Sequence, residues 1–187
     1  MSGVRILLIS GSTRSASTNT ALLRTAQGLA LAGITVVVFE RMTDLPHFNP
    51  DDDRGNDGAA QPGVPHAAVA ELRAAIAASQ AVLLCTPEYA GALPGSFKNL
   101  LDWTVGGTEM YRKPVAWVNV SSSPTGAADA HASLATVLGY LHAEVVEAAC
   151  VRIPVTRAEV GGDGLIASPR IRQQISDVLT TLARHVS

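Results

Sequence analysis

A chain of 187 residues with 47% apolar content is long enough to bury a sizeable core as one domain, 1–187, and too apolar to stay disordered. Its 16 acidic and 14 basic residues leave a formal charge of −2, so no global field recruits nucleic acid or an anionic membrane. No segment approaches the roughly 20 apolar residues of a membrane span, and the first apolar run is too short for a signal-peptide core, so a cytoplasmic protein is expected.

Strand-like and helix-like patterns alternate along the chain. Val4–Ser10 reads as a buried-strand run. Residues 20–32 carry Leu22, Ala26, Leu29 and Ala30 at helical spacing, and Gly33 then introduces a β-branched strand over 35–39. Residues 49–65, rich in Asp, Gly and Pro, read as a long surface loop, a lid or a subunit contact. A helix is expected over 67–79 through Val69, Leu72 and Ile76, and a strand over 81–86 that stops at Pro87. Phe97, Leu100, Leu101 and Thr104 mark a helix over 96–105, followed by a strand over 114–120. Leu134, Val137, Leu138 and Leu141 place a helix over 127–141, and a last strand is expected over 144–153. The chain closes in a helix capped by Ser168, with Pro169 at its first position and a stripe of Ile171, Ile175, Val178, Leu179 and Leu182.

Five strands alternating with five helices make a doubly wound α/β sheet, and strands without polar alternation are buried on both faces, as a parallel sheet requires. Ligands of such sheets bind beyond the carboxyl ends of the strands. Three loops end there. The first, 10–19, offers the hydroxyls of Ser10, Ser12, Thr13, Ser15, Ser17 and Thr18, the amide of Asn19 and the charge of Arg14, just where the next helix leaves its first N–H groups free. That is chemistry for a terminal phosphate, or for a turn that only caps a helix. With Gly11 alone, it is neither a dinucleotide fingerprint nor a Walker-type loop. The second loop, TPEYAGALPG at 86–95, has prolines that fix the chain and glycines that let backbone approach a flat ligand. The third is SSSPTG at 121–126, again rich in hydroxyls.

Competing chemistries lack their residues. His47, His66, His131, His142 and His185 show no metal-ligand spacing, and no G-x-S-x-G elbow occurs. Cys85 and Cys150 lie in apolar runs and read as small core residues. Asp51, Asp52 and Asp53 read as a solvated loop.

The first loop carries G-S-x-R-x-x-S-x-N at Gly11, Ser12, Arg14, Ser17 and Asn19. The second carries P-E-Y-x-x-x-x-P-G-x-x-K-N-x-x-D-W at Pro87, Glu88, Tyr89, Pro94, Gly95, Lys98, Asn99, Asp102 and Trp103. With LPHFNPD at 45–51, these motifs resemble those of the NAD(P)H-dependent FMN reductases, whose relatives reduce quinones, azo dyes and chromate. The resemblance implies a three-layer flavodoxin-like fold with strand order 2-1-3-4-5. It implies that Ser12, Arg14, Ser17, Thr18 and Asn19 hold the FMN phosphate. Pro87, Glu88, Tyr89, Ala90 and Gly91 would border the ring, and Ser121, Ser122 and Ser123 would close the other side. The chain departs from the family at Ala90, where Asn is usual, and after Gly126, where AADAHA replaces a Gly-rich stretch ending in Arg.

The implied reaction passes electrons from NADPH or NADH through FMN to a small acceptor, with no catalytic side chain and no metal required. A flavodoxin-type electron carrier, or a flavin-binding regulatory protein without turnover of its own, is the alternative. Such carriers rely on an acidic face for docking, and the near-balance of charge argues against one. Trp103, Met110 and Tyr111 either cover their own sheet or form an apolar patch. The family resemblance favours the patch, and with it a homodimer or homotetramer.

Overall fold

The computed structural model describes residues 3–53 and 66–187. Strands β1 (Val4–Ser10), β2 (Ile34–Phe39), β3 (Ala81–Cys85) and β4 (Pro114–Asn119) form a parallel sheet in the order β2-β1-β3-β4. The fifth position is filled by two short pieces, β5 (Glu144–Val145) and β6 (Val151–Arg152), both parallel to β4. The expected last strand over 144–153 is thus interrupted. Glu147–Ala149 leaves the ladder as a 3-10 turn between the two pieces. Ala148 and Ala149 have weak strand preference, and the turn buries Ala149 in the core.

Helices lie on both faces. β1 shows why: Ile6 and Leu8 point to one face and Leu7 and Ile9 to the other, and all are buried. On the first face, α1 (Thr18–Gln27) and α5 (Pro169–His185) bring Leu22, Leu23, Ile175 and Leu179 into one apolar cluster. On the second, α2 (Ala67–Ala77), α3 (Gly95–Asp102) and α4 (Ala128–Tyr140) contribute Leu72, Phe97, Leu100 and Leu134. This is the doubly wound 2-1-3-4-5 arrangement of the flavodoxin-like fold.

Several boundaries differ from expectation. α1 begins at Thr18, not at residue 20, because the Ser17 side chain caps it by accepting from the Thr20 amide at 3.4 Å. It ends at Gln27, with Gly28 as its C-cap, and does not reach residue 32. Ser168 occupies the N-cap of α5, and Pro169 its first turn, but the serine side chain makes no capping bond.

Of the 49–65 loop, 54–65 lie outside the described residues, and Pro50–Asp52 is a 3-10 turn. Asp53 is not solvated. Its carboxylate is mostly buried and paired with Arg73, whose Nε donates to the Trp103 carbonyl at 2.9 Å. The proposed apolar patch also dissolves. Trp103 and Met110 are buried in their own subunit, and only Tyr111 is exposed. Trp103 Nε1 donates to the Pro46 carbonyl at 2.8 Å, and Phe48 meets its ring edge-on at 5.1 Å. Asn99 joins this latch by donating to the same carbonyl at 2.9 Å and accepting from the Phe48 amide at 2.7 Å. Asn99 and Trp103 therefore tie α3 to the loop after β2.

Candidate functional site

The loops after β1, β3, β4 and β6 meet at the carboxyl edge of the sheet and enclose a cleft of about 560 Å³. That volume lies within the roughly 300–1,000 Å³ of small-molecule sites. The first two loops touch directly at Gly11. Its amide donates to the Cys85 carbonyl at 2.8 Å, and a Cβ there would fall 2.3 Å from Thr86 Oγ1 and 3.0 Å from Phe97. Only glycine lets β1 turn this close to β3.

At one end of the cleft the donor set fits a phosphate. Ser12, Arg14, Ser17, Thr18 and Asn19 all line it. The backbone amides of Thr18 and Asn19, in the first turn of α1, make no hydrogen bond among the described residues. The loop is braced from within, since Ser10 Oγ accepts from the Ser12 amide at 3.2 Å and Ser12 Oγ from the Arg14 amide at 3.3 Å. The Arg14 side chain is exposed and has no ion-pair partner among the described residues. Asn19 is buried, and its Oδ1 accepts from the Cys85 thiol at 3.2 Å, which leaves its amide N–H groups for the cleft. Burial pushes the Cys85 thiol far above the ordinary range, so it stays protonated and serves as that donor. Cys150 is half-buried, and burial pushes its thiol up to about 11; both cysteines are free.

At the other end lie Pro87, Glu88 and Tyr89, with Tyr89 55% exposed and its ring available to a ligand. Ala90 and Gly91, expected at the ring edge, do not line the cleft. They are the middle of a tight turn, with φ of 51° and 70°, closed by reciprocal Tyr89–Ala92 backbone bonds of 3.1 Å. Their part is to aim Tyr89. Glu88 Oε2 accepts from the Ala130 amide at 3.0 Å and so caps α4.

Of the serine loop, Ser121 and Ser122 line the cleft, whereas Ser123 does not; its amide donates to Ser121 Oγ at 3.2 Å. Asn119 secures this loop from below, accepting from the Ser121 amide and donating to the Gly126 carbonyl, both at 2.9 Å. Arg152 clamps the carbonyls of Ser121 and Ser122 from β6 at 3.2 and 3.0 Å.

The cleft also has walls that the sequence reading missed, chiefly Thr86, Asn119, Val155, Thr156 and Arg157. The last three follow β6, and the rule that every parallel strand contributes its carboxyl end would have found them. Arg157 adds a second cation beside Arg14. Glu88 is the only acidic side chain among the described lining residues, and its carboxylate is engaged with α4. The cleft is therefore a net cationic, donor-rich site with an aromatic at one end. Among the described residues no cluster could hold a metal ion, and no helix is long and apolar enough to cross a membrane.

Comparison with known proteins agrees with this chemistry. The chain is 30% identical over 181 residues to an NAD(P)H-dependent FMN reductase of Pseudomonas aeruginosa, covering 96% of this chain and 93% of the relative. It is 28% identical over 145 residues to a quinone reductase of Escherichia coli K12, covering 76% and 73%. Among solved structures, the flavoenzyme NAD(P)H:(acceptor) oxidoreductase of Paracoccus denitrificans superposes with a TM-score of 0.77 at 26% identity, over 97% of this chain and 98% of that one. Residues 4–156, the stretch that carries both motif loops, match the model of NADPH-dependent FMN reductases, and the chain belongs to that family.

Proposed function

We propose that this chain is a single-domain, FMN-dependent oxidoreductase that passes electrons from NAD(P)H to a flavin, quinone or similar small acceptor. The observation that carries the reading is one cleft with a phosphate-type donor set at one end and Tyr89 at the other. FMN held by these loops would supply the hydride- and electron-transfer chemistry between NAD(P)H and the acceptor.

The protein's own tasks are binding, orientation and shielding. Ser12, Arg14, Ser17, Thr18 and Asn19 would hold the phosphate, with the free amides of α1 adding donors and the positive end of the helix dipole. Pro87, Glu88 and Tyr89 would border the ring, with Ala90 and Gly91 shaping that edge. Ser121 and Ser122 would close the opposite side, with Ser123 bracing them. No side chain needs to act as nucleophile or general acid. The balanced charge supports a protein that binds neither nucleic acid nor an anionic membrane, whereas a cytoplasmic homodimer or homotetramer rests on the family resemblance.

The test is steady-state kinetics with NADH and NADPH in turn, with FMN and a quinone varied, alongside a visible spectrum after FMN addition. Flavin absorbance and quinone-dependent oxidation of the nicotinamide are expected. FMN binding without turnover would make the chain an electron carrier. Absence of flavin binding would overturn the reading.

A further inference from the structure

A second cavity, of about 310 Å³, lies behind the phosphate loop. It shares Ala16, Ser17, Thr18 and Arg157 with the cleft, so the two spaces are separated only by the turn into α1 and one guanidinium. Arg24, from α1, faces the same cavity. No acidic side chain lines it among the described residues.

Both guanidinia are available. The Arg157 guanidinium has no hydrogen-bond or ion-pair partner among the described residues, and only its backbone carbonyl is engaged, accepting from the Val160 amide at 3.2 Å. Arg24 is tethered only to Glu40, at 3.5 Å, with both side chains more than half exposed, a pairing of little worth in water. The turn that carries Arg157 is fixed by a capping box, in which Glu159 Oε2 accepts from the Thr156 amide at 2.8 Å and from its hydroxyl at 3.0 Å. The remaining walls are the hydroxyl residues Ser15, Ser17, Thr18 and Thr20 together with apolar side chains and glycine backbone. Ala21 and Val160 offer apolar surface, and a Cβ added at Gly162 would meet nothing within 4 Å.

We propose that this cavity receives the adenosine 2′-phosphate end of NADPH, with Arg24 and Arg157 as its phosphate ligands, and that it makes the enzyme prefer NADPH over NADH. The proposal rests on the FMN-reductase reading for the position of the nicotinamide end, which belongs in the adjoining cleft. Cavity size supports the assignment, because about 310 Å³ suits a mononucleotide-sized fragment and not a whole dinucleotide. Charge supports it as well. A phosphate monoester carries roughly −1.5 to −2 at neutral pH, and paired guanidinia match it better than they match a singly charged pyrophosphate oxygen.

The experiment is calorimetric titration of the FMN-loaded protein, and of the protein without FMN, with adenosine 2′,5′-bisphosphate, 5′-AMP and inorganic phosphate. The bisphosphate is expected to bind about tenfold or more tightly than 5′-AMP, and Arg24→Gln to abolish most of that difference. Arg24→Gln should raise the KM for NADPH by about tenfold while leaving kcat in place, and Arg157→Gln, which also alters the cleft wall, should raise that KM by a similar factor. Arg24 does not line the cleft, so Arg24→Gln should keep both its FMN affinity and its KM for NADH. Gly162→Leu, whose Cβ would meet nothing within 4 Å, adds bulk at the cavity wall and should weaken the bisphosphate and 5′-AMP alike. Equal affinity for bisphosphate and inorganic phosphate would reduce the cavity to a simple anion site and overturn the proposal. So would an unchanged NADPH-to-NADH preference in both arginine variants. Failure of the protein to bind FMN would instead sink the reductase reading, and the titrations without FMN would still decide the cavity.

Discussion

The Glu88 carboxylate accepts a hydrogen bond from the Ala130 amide at 3.0 Å, across 42 positions of sequence. A residue of the loop after β3 thus serves as a cap of α4, and the loop is fixed to a helix end that attracts negative charge. Glu88→Ala removes both the acceptor and the charge. It should cost about 1–2 kcal/mol of stability by urea unfolding, the range of a lost N-cap. Glu88→Gln keeps an acceptor and should lose less. If the two variants unfold at the wild-type midpoint, Glu88 does not cap α4.

The tight turn at Tyr89–Ala92 carries an alanine where the backbone is left-handed. Ala90 has a φ of 51°, and Gly91 follows at 70°, the signature of a two-residue hairpin turn that favours Asn-Gly. A non-glycine residue in this region is disfavoured by about 1–2 kcal/mol, and asparagine escapes part of it. Ala90→Asn should therefore raise the unfolding free energy by about 0.5–1 kcal/mol, and with it the urea midpoint, and Ala90→Val should lower both. The family's usual Asn at this position then has a conformational reason, separate from any contact with the flavin. Equal midpoints for all three proteins would remove strain from the account.

Most of the architecture was legible because the strands are buried on both faces. Residues 6–9 and Ala81–Cys85 are uninterrupted apolar runs, and a covered parallel strand accommodates them best. The break after Val145 was not legible, because its cause is tertiary: Ala149 finds a place in the core only if the chain leaves the ladder. At the site, hydroxyl and glycine patterns pointed to three loops that contribute residues to the cleft. They did not tell cleft-lining residues from those that shape the loop, so Ala90, Gly91 and Ser123 looked equivalent to their neighbours. Thr156 and Arg157 escaped notice because their role depends on where the strand ends converge, and no local pattern encodes that. Trp103 and Met110 looked like a surface patch because a sequence does not reveal that the Pro46 carbonyl waits for the indole N–H.

Arg14 is held only through its backbone, and its side chain is exposed beside the free amides of α1. Arg14→Ala should therefore weaken FMN binding by about 1.5–3 kcal/mol, the worth of a charge-assisted hydrogen bond, and leave the stability of the flavin-free protein unchanged. Riboflavin, which lacks the phosphate, should bind wild type and variant alike. Fluorescence titration with both flavins reads this directly. An equal loss for riboflavin would move Arg14 from the phosphate to the ring or the fold.

His131 gives the fold a titration of its own. The residue is 8% exposed, stacks on Trp117 at 5.8 Å, and places Nδ1 2.6 Å from the Ala127 carbonyl; Nε2 is buried without a partner among the described residues. Burial lowers its pKa from the ordinary 6.5, and the Ala127 bond and the charge of Glu88 oppose this without reversing it. Below that ordinary value the unfolded chain binds a proton that the native chain resists, so stability rises with pH through this window. The His131 contribution is full above a pH of about 6.5 and is lost as the pH falls toward the depressed native value. His131→Phe keeps a ring against Trp117 but removes the titration. Its unfolding free energy should therefore fall less steeply than that of wild type between about pH 7 and pH 5.5, whatever its absolute stability. Parallel profiles for the two proteins in urea would show that His131 is not the group that titrates.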